Sequence, residues 1–234
     1  MKYLSRFAVW LILMAAASAY AAAPGTIQAS YDVYKLGIKI GQIEETYRRN
    51  GDRYELVSTT RAVGFFSLFK SGKIIVRSSG LIDAQGLRPL FSSAVNENNE
   101  KDNKRAEFDW NAKKISLTRH TERSALDLPE TTQDRLSAMY QFMFLPMTSP
   151  TLAFQMLNGN YLLHFRFDIA PGPELKTAAG KFTTLYLDNK AQGAKERTEL
   201  WLATQHYNLP CKMIVTDADG GKITQLLSKL DTRP

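Results

Sequence analysis

The chain has 234 residues, 30 basic and 23 acidic side chains for a formal charge of +7, and a hydrophobic share of 44%. That apolar share is enough for a full core and excludes disorder, and Cys211, the lone cysteine, excludes an intramolecular disulfide or a multi-cysteine zinc centre. Basic residues between 101 and 123 alternate with acids, which argues against nucleic-acid binding and leaves only a weak attraction to anionic envelope surfaces.

Residues 1–21 read as a secretory signal peptide. Lys2 and Arg6 precede an apolar run from Phe7 to Ala17, and Ala19-Tyr20-Ala21 places small residues two apart. The run is about 11 residues, short of the roughly 20 that a membrane-spanning helix needs. Removing the leader leaves 213 residues and +5, expected to form one exported β-rich domain over 22–234 with no transmembrane segment. No cysteine follows the leader to carry a lipid, so the expected location is the periplasm, unanchored.

Ile27, Ala29, Tyr31 and Val33 alternate with polar residues, the mark of a half-buried strand. Residues 37–44 continue as strand, and Asn50-Gly51-Asp52 turns the chain into a hairpin with 54–60. Val63 to Lys70 interrupts the pattern with Phe65, Phe66 and Phe69 in a loop or single helical turn. Strands follow at 73–83, 88–98, 104–110 and 114–120, with a charged hairpin tip over 96–104. Thr131-Thr132-Gln133-Asp134 then matches a helix start, and Leu136, Met139, Tyr140 and Met143 recur at helical spacing until Pro146, predicting an apolar helix of about 14 residues. Strands resume at 161–168, 182–188, 196–203, 209–217 and 222–230. The fold class is mainly β: a strongly curved antiparallel sheet or half-open β-barrel of ten or eleven strands with one apolar helix packed on it.

Signs of chemistry are sparse. His164, Arg166 and Asp168 share one strand face, which reads as a solvent face; His120 and His206 stand near turns. Glu44 and Glu45 point to opposite faces of a strand, and Asp217 and Asp219 share a turn. Nucleophile-elbow, zinc-helix and phosphate-loop motifs are absent, so no catalytic or metal-ligating residue, no cofactor and no enzymatic activity is assigned. Cys211 reads as a small buried hydrophobe in a strand.

Several weak motifs occur in order: the strand with glycines from Tyr31 to Gly41, Gly80-Leu81-Ile82-Asp83-Ala84-Gln85-Gly86-Leu87-Arg88-Pro89, Asp134-Arg135-Leu136-Ser137-Ala138-Met139-Tyr140, Thr177 to Phe182, and Leu200-Trp201-Leu202 followed by Leu209-Pro210. In these the chain resembles the exported bacterial family known as domain of unknown function 3108, which has no activity to carry over. Its closing segment is similar to that of the lipoprotein-localisation carriers, a resemblance that implies a curved, incompletely closed sheet around a hydrophobic cavity.

The expected function is that of a periplasmic non-enzymatic binding or carrier-like protein for a hydrophobic or lipid-like ligand. Its pocket is expected to be bounded by Phe65, Phe66, Phe69, Met139, Phe142 and Met143, with no charged side chain in the lining. The alternative is a structural or interaction module that contacts envelope polysaccharide or protein, with Trp110 and Trp201 as exposed platforms. Intact-mass analysis of the periplasmic fraction should give a protein lacking residues 1–21. Full-length chain in the inner membrane would refute the leader.

Overall fold

The computed structural model describes residues 23–68, 72–190 and 196–234, so the leader expected over 1–21 lies outside the described residues. In chain order the strands are β1 (Thr26–Lys35), β2 (Ile38–Asn50), β3 (Arg53–Ala62), β4 (Lys73–Asp83), β5 (Gly86–Asn96), β6 (Lys104–Asp109), β7 (Lys114–Arg119), β8 (Glu122–Asp127) and the two-residue β9 (Thr132–Gln133). Helix α1 (Arg135–Gln141) follows, then β10 (Thr151–Asn158), β11 (Tyr161–Pro171), β12 (Leu175–Thr177), β13 (Gly180–Phe182), β14 (Thr184–Asp188), β15 (Arg197–Ala203), β16 (Leu209–Thr216) and β17 (Lys222–Arg233).

Among the described residues fifteen of these strands form one sheet, ordered β8-β7-β6-β5-β4-β3-β2-β1-β17-β16-β15-β14-β11-β10-β9, while β12 and β13 make a separate ribbon. The first and last strands pair at the centre, Thr26 with Arg233 through to Lys35 with Ile223. All neighbours run antiparallel except β9, which pairs parallel to β10. Alternation does the sorting: on β1, Ile27, Ala29, Tyr31 and Val33 are buried and the residues between them are not.

The expectation of ten or eleven strands is corrected, and the sheet is not closed into a barrel. β8 and β9 are its two ends, and no backbone ladder joins them. Register shifts at Ser30/Tyr31, Val33/Tyr34, Ser79/Gly80 and Trp201/Leu202 mark bulges, which increase twist and bend the sheet around its own concave face. At the bulge in β4, a Cβ on Gly80 would stand 2.1 Å from the Arg88 carbonyl oxygen, so only glycine fits.

Side chains span the gap that hydrogen bonds leave. Leu157 of β10 and partly buried Leu162 of β11 pack on Ala106, Phe108, Ile115 and Leu117 of β6 and β7, so the two flanks of the sheet touch through apolar contact. Two glutamines add a polar clasp. Gln133 Nε2 donates to the Leu87 carbonyl (2.7 Å), and Gln141 accepts from Leu87 N (2.6 Å) while donating to the Gln85 carbonyl (2.7 Å). Gly86 lies beneath this clasp at φ +102°, where a Cβ would meet the Gln141 amide at 2.6 Å.

Helix α1 is one 7-residue segment and not the longer run that the spacing predicts. Its N-cap is Asp134, not Thr131; Thr132 and Gln133 are already strand. Asp134 Oδ1 accepts from Leu136 N (2.9 Å) and Ser137 N (3.0 Å), and Ser137 Oγ accepts from Asp134 N (3.0 Å). The second carboxylate oxygen accepts from buried Ser78 Oγ on β4, which in turn meets Tyr54 of β3 at 3.1 Å. Phe142 and Met143 are buried, but in the turn after the helix. Their helical spacing records burial, not helix.

Replacing Asp134 with Ala removes the cap and takes from buried Ser78 its carboxylate acceptor, leaving it only the Tyr54 hydroxyl, a combined loss of about 2–4 kcal/mol in urea denaturation. Asp134→Asn keeps an acceptor and should lose less. Equal midpoints for the two variants would show that the carboxylate does not anchor α1.

Candidate functional site

Beneath α1 lies a cavity of about 180 Å³. Leu136 and Met139 of the helix form its roof, and β2, β3 and β4 supply Ile43, Glu45, Ser58, Thr60 and Val76. The facing wall is apolar: Phe154 and Met156 from β10, Phe165 and Phe167 from β11, and Met213 and Val215 from β16. Strand pairing builds this wall. Phe154 stands opposite Phe165, and Phe167 follows two residues on, on the same face. Their rings stack with centroids 6.0 Å (154–165) and 5.7 Å (165–167) apart. Arg135 and Glu196, both exposed, stand at the rim.

Into this apolar hollow β2 delivers a carboxyl group. Ile43, Glu45 and Tyr47 share the inward phase of the strand, and Glu44 faces out, exposed and ion-paired with Arg61 at 2.5 Å. Glu45 Oε1 accepts from Ser58 Oγ (3.1 Å), and Oε2 accepts from the Tyr140 hydroxyl (3.0 Å). Removal from water raises the Glu45 pKa above the ordinary carboxylate value, against the lowering effect of the two hydrogen bonds. Burial, and after it the Glu45 charge, pushes the phenols of Tyr31 and Tyr140 well above their usual range. Tyr47 stacks on Tyr140 with centroids 5.8 Å apart, and burial pushes its phenol up to about 12.

A larger hollow of about 690 Å³ lies along the seam between β5 and β10, lined among others by Asp83, Gln85, Arg88, Trp110, Gln133 and Gln141. Most of these groups are engaged in holding the seam. The glutamines clasp β5, Trp110 Nε1 donates to the Pro89 carbonyl (2.7 Å), and the Arg88 guanidinium lies 4.7 Å from the Trp110 ring centre. The smaller cavity is the better candidate despite its size, because a carboxyl group bordering a largely apolar hollow costs stability that two side-chain hydrogen bonds, from Ser58 and from Tyr140 of α1, only partly offset. Phe154 borders both hollows.

Of the six residues expected to bound a pocket, Met139 alone lines this cavity. Phe142 is fully buried behind it with Ala138 and Phe154, and Met143 is buried in the neighbouring cluster around Tyr140. Phe65 is 69% exposed on a 3₁₀ turn over Gly64–Leu68. Phe69 and the side chain of Phe66 lie outside what is described. The expectation of an uncharged lining is corrected by Glu45 in the wall and by Arg135 and Glu196 at the rim. An acid in the inward phase of β2, between Ile43 and Tyr47, was the sequence signal for the missed group.

The other sequence candidates do not converge. His164 is exposed and pairs with Gln155, Asp168 binds Lys190, and His206 meets the Phe182 ring edge-on. Cys211 is buried with Sγ 3.3 Å from the Trp201 carbonyl oxygen, and burial pushes its thiol up to about 11. Trp201 is 9% exposed beneath Lys212, and Trp110 is half-buried, so neither is an open platform. Among the described residues no three His, Cys, Asp or Glu side chains are grouped to hold a metal ion, and no helix is long and apolar enough to cross a membrane.

Comparison with known proteins adds a family but no activity. A candidate lipoprotein of Parabacteroides distasonis is similar at 8% identity, with 89% of this chain and 95% of that one covered and a TM-score of 0.37. A candidate exported protein with a YmcC-like fold from Bacteroides fragilis is similar at 10% identity, 89% and 96% coverage and a TM-score of 0.32. Both scores are too low to carry an argument. No curated protein matches the chain. The sequence profile of one family spans residues 30–228, and the chain therefore belongs to the family described as protein of unknown function, DUF3108.

Proposed function

We propose that the protein is a non-enzymatic binding protein of the periplasm that receives an apolar group of a lipid-like ligand in the cavity under α1. The observation that carries this reading is a carboxyl group, Glu45, facing across the hollow to an apolar wall of Phe154, Phe165, Phe167, Met156 and Met213, with Ser58, Thr60, Thr198 and Gln225 as the uncharged polar part of the lining. Cavities of about 150 Å³ hold a benzene ring, so 180 Å³ suits a ring or the end of an acyl chain and not a whole chain. Methionines at 139, 156 and 213 give the wall adjustable shape.

Charge narrows the ligand. An anionic group entering beside Glu45 would meet a like charge in a poorly solvated site, so the group that enters is neutral or cationic. A hydroxyl, amide or amine on it has the Glu45 oxygens as acceptor.

The sign of the pH effect follows from the raised Glu45 pKa. The stabilising contribution of the protonated form is complete below the unfolded carboxylate value and is lost as pH rises through the folded value. Glu45→Gln should therefore raise the thermal midpoint at neutral pH, with the gap closing at about pH 4. The neutral fluorophore N-phenyl-1-naphthylamine should bind the native protein more tightly as pH falls toward that value, and the Gln variant should show a flat profile. Equal, pH-independent uptake by both proteins would remove Glu45 from the site.

Filling the hollow is the complementary test. Met139 is half-buried, so Met139→Trp can occupy the space with a shift of only a few degrees in thermal midpoint. Fluorophore uptake should fall at least tenfold. Undiminished uptake would place the ligand elsewhere.

A further inference from the structure

Large apolar side chains exposed singly are ordinary, but here they collect. Six such side chains are exposed among the described residues, and five of them sit at one end of the sheet: Leu36 (88%), Ile38 (60%), Phe65 (69%), Ile74 (43%) and Val95 (41%). Strand register places them side by side. Leu36 lies in the β1–β2 turn and Ile38 opens β2 opposite Lys35, and Val63, just before the turn that carries Phe65, donates its N–H to the Ile40 carbonyl (3.1 Å). Ile74 pairs with Thr60 near the end of β3, and Val95 pairs with Ile75.

The β1–β2 turn gives an independent reason to look here. Leu36 has φ +52° and Gly37 φ +76°, a two-residue connection whose first position ordinarily takes Asn, Asp or Gly. Leucine in the left-handed region is strained, and at 88% exposure it gains no packing in return. Folding accounts for neither choice.

The surrounding charge is selective. Residues 33–41, 61–68 and 72–81 contain Lys35, Lys39, Arg61, Lys73 and Arg77 and no acid. Of the acids at this end, Asp32 binds Lys39 (2.7 Å), Glu44 binds Arg61 (2.5 Å) and Glu97 accepts from the backbone N–H of Lys73 (3.0 Å), while exposed Glu196, Asp217 and Asp219 lie farther along, beyond β17. Lys35 and Lys73 are exposed and have no ion-pair partner among the described residues.

We propose that this end of the sheet docks on an anionic bilayer, with Leu36, Ile38, Phe65, Ile74 and Val95 entering the headgroup boundary and Lys35 and Lys73 reaching lipid phosphates. Lysine stems extend along the apolar surface while their ammonium groups stay in the polar layer. The position relative to the cavity is apt. Exposed Glu196 at the cavity rim precedes Arg197, which pairs with Thr216; Thr216 pairs with Lys222, and the next residue, Ile223, pairs with Lys35. The rim and the docking edge thus share one end of the sheet.

The test is co-sedimentation of the exported, processed protein with phosphatidylcholine vesicles, alone or with one lipid in three replaced by phosphatidylglycerol. The protein should pellet with the anionic vesicles and be released by salt. Leu36→Asn with Ile38→Ser should lower that affinity by about tenfold or more, since each lost side chain removes several buried methylene groups. Lys35→Glu with Lys73→Glu should lower it on anionic vesicles by at least fivefold per site. Both double variants should keep the native thermal midpoint and still take up N-phenyl-1-naphthylamine, which separates docking from ligand binding. Native protein that stays in the supernatant with both vesicle types, or variants that pellet like the native chain, would overturn the proposal. So would light scattering that shows a native dimer and a monomeric Leu36→Asn, Ile38→Ser variant with unchanged pelleting, for the patch would then join two copies.

Discussion

The buried contact between Asp134 and Ser78 sets the position of everything else in the concave face. A sheet of fifteen strands that never closes its ladder leaves an apolar surface that must be covered from above, and α1 is the described helix available to cover it. At 7 residues α1 is far too short to be stable alone. One carboxylate solves both problems. Its first oxygen caps the helix, its second holds β4, and Tyr54 extends the link to β3. The cost is a desolvated acid, whose pKa burial raises even though Ser78, Ser137 and Leu136 donate to it. Three hydrogen bonds accepted by the carboxylate make that placement tolerable.

A second, half-buried acid stands in a different relation to the fold. Asp134 is surrounded by donors from the backbone and two side chains, all of which the helix start needs. Glu45 has two side-chain donors, Ser58 and Tyr140, and borders open volume. Removing both charges from the interior would have opposite consequences: the first holds an element in place, while the second is held in place by elements that would pack well around a neutral side chain. On the proposed reading, that asymmetry separates a structural acid from one retained for a ligand beside it.

Much of the sheet was legible in local pattern. The segments 73–83, 104–110, 114–120 and 209–217 match β4, β6, β7 and β16 to within a residue; β4, β6 and β16 end in turns that carry Gly, Asn or Asp, and β7 alternates cleanly up to its His120-Thr121 turn. β8 was missed because it lies at the edge of the sheet, where only Leu126 of Glu122–Asp127 is partly covered, so no alternation is imposed on it. β10 was missed for the opposite reason. Leu152, Phe154, Met156 and Leu157 are apolar in both phases, since one face meets the cavity and Leu157 meets β6 and β7. The candidate site was less legible than either. Glu45 bonds to partners 13 and 95 residues away, and the aromatic wall faces it only because the sheet curves, a property of accumulated bulges that no single strand displays.

The way the sheet ends meet also decides where the molecule can give. Along β1 and β17 a continuous ladder of ten paired residues holds the centre, and separating it would break many backbone bonds at once. At the seam three amide hydrogen bonds from Gln133 and Gln141 oppose separation, together with the contacts of Leu157 and Leu162 and the side-chain bonds of Asp134 to Ser78 and Tyr140 to Glu45. Each such hydrogen bond contributes about 1 kcal/mol net, so the seam is weaker than the central ladder of β1 and β17. Phe154 stands at that seam with one hollow of about 180 Å³ on one side and one of about 690 Å³ on the other. A ligand longer than a ring therefore has its lowest-cost extension past Phe154 and along the seam, where displaced side chains find open volume, and not through the pinned side of α1, where the same displacement would uncap a helix.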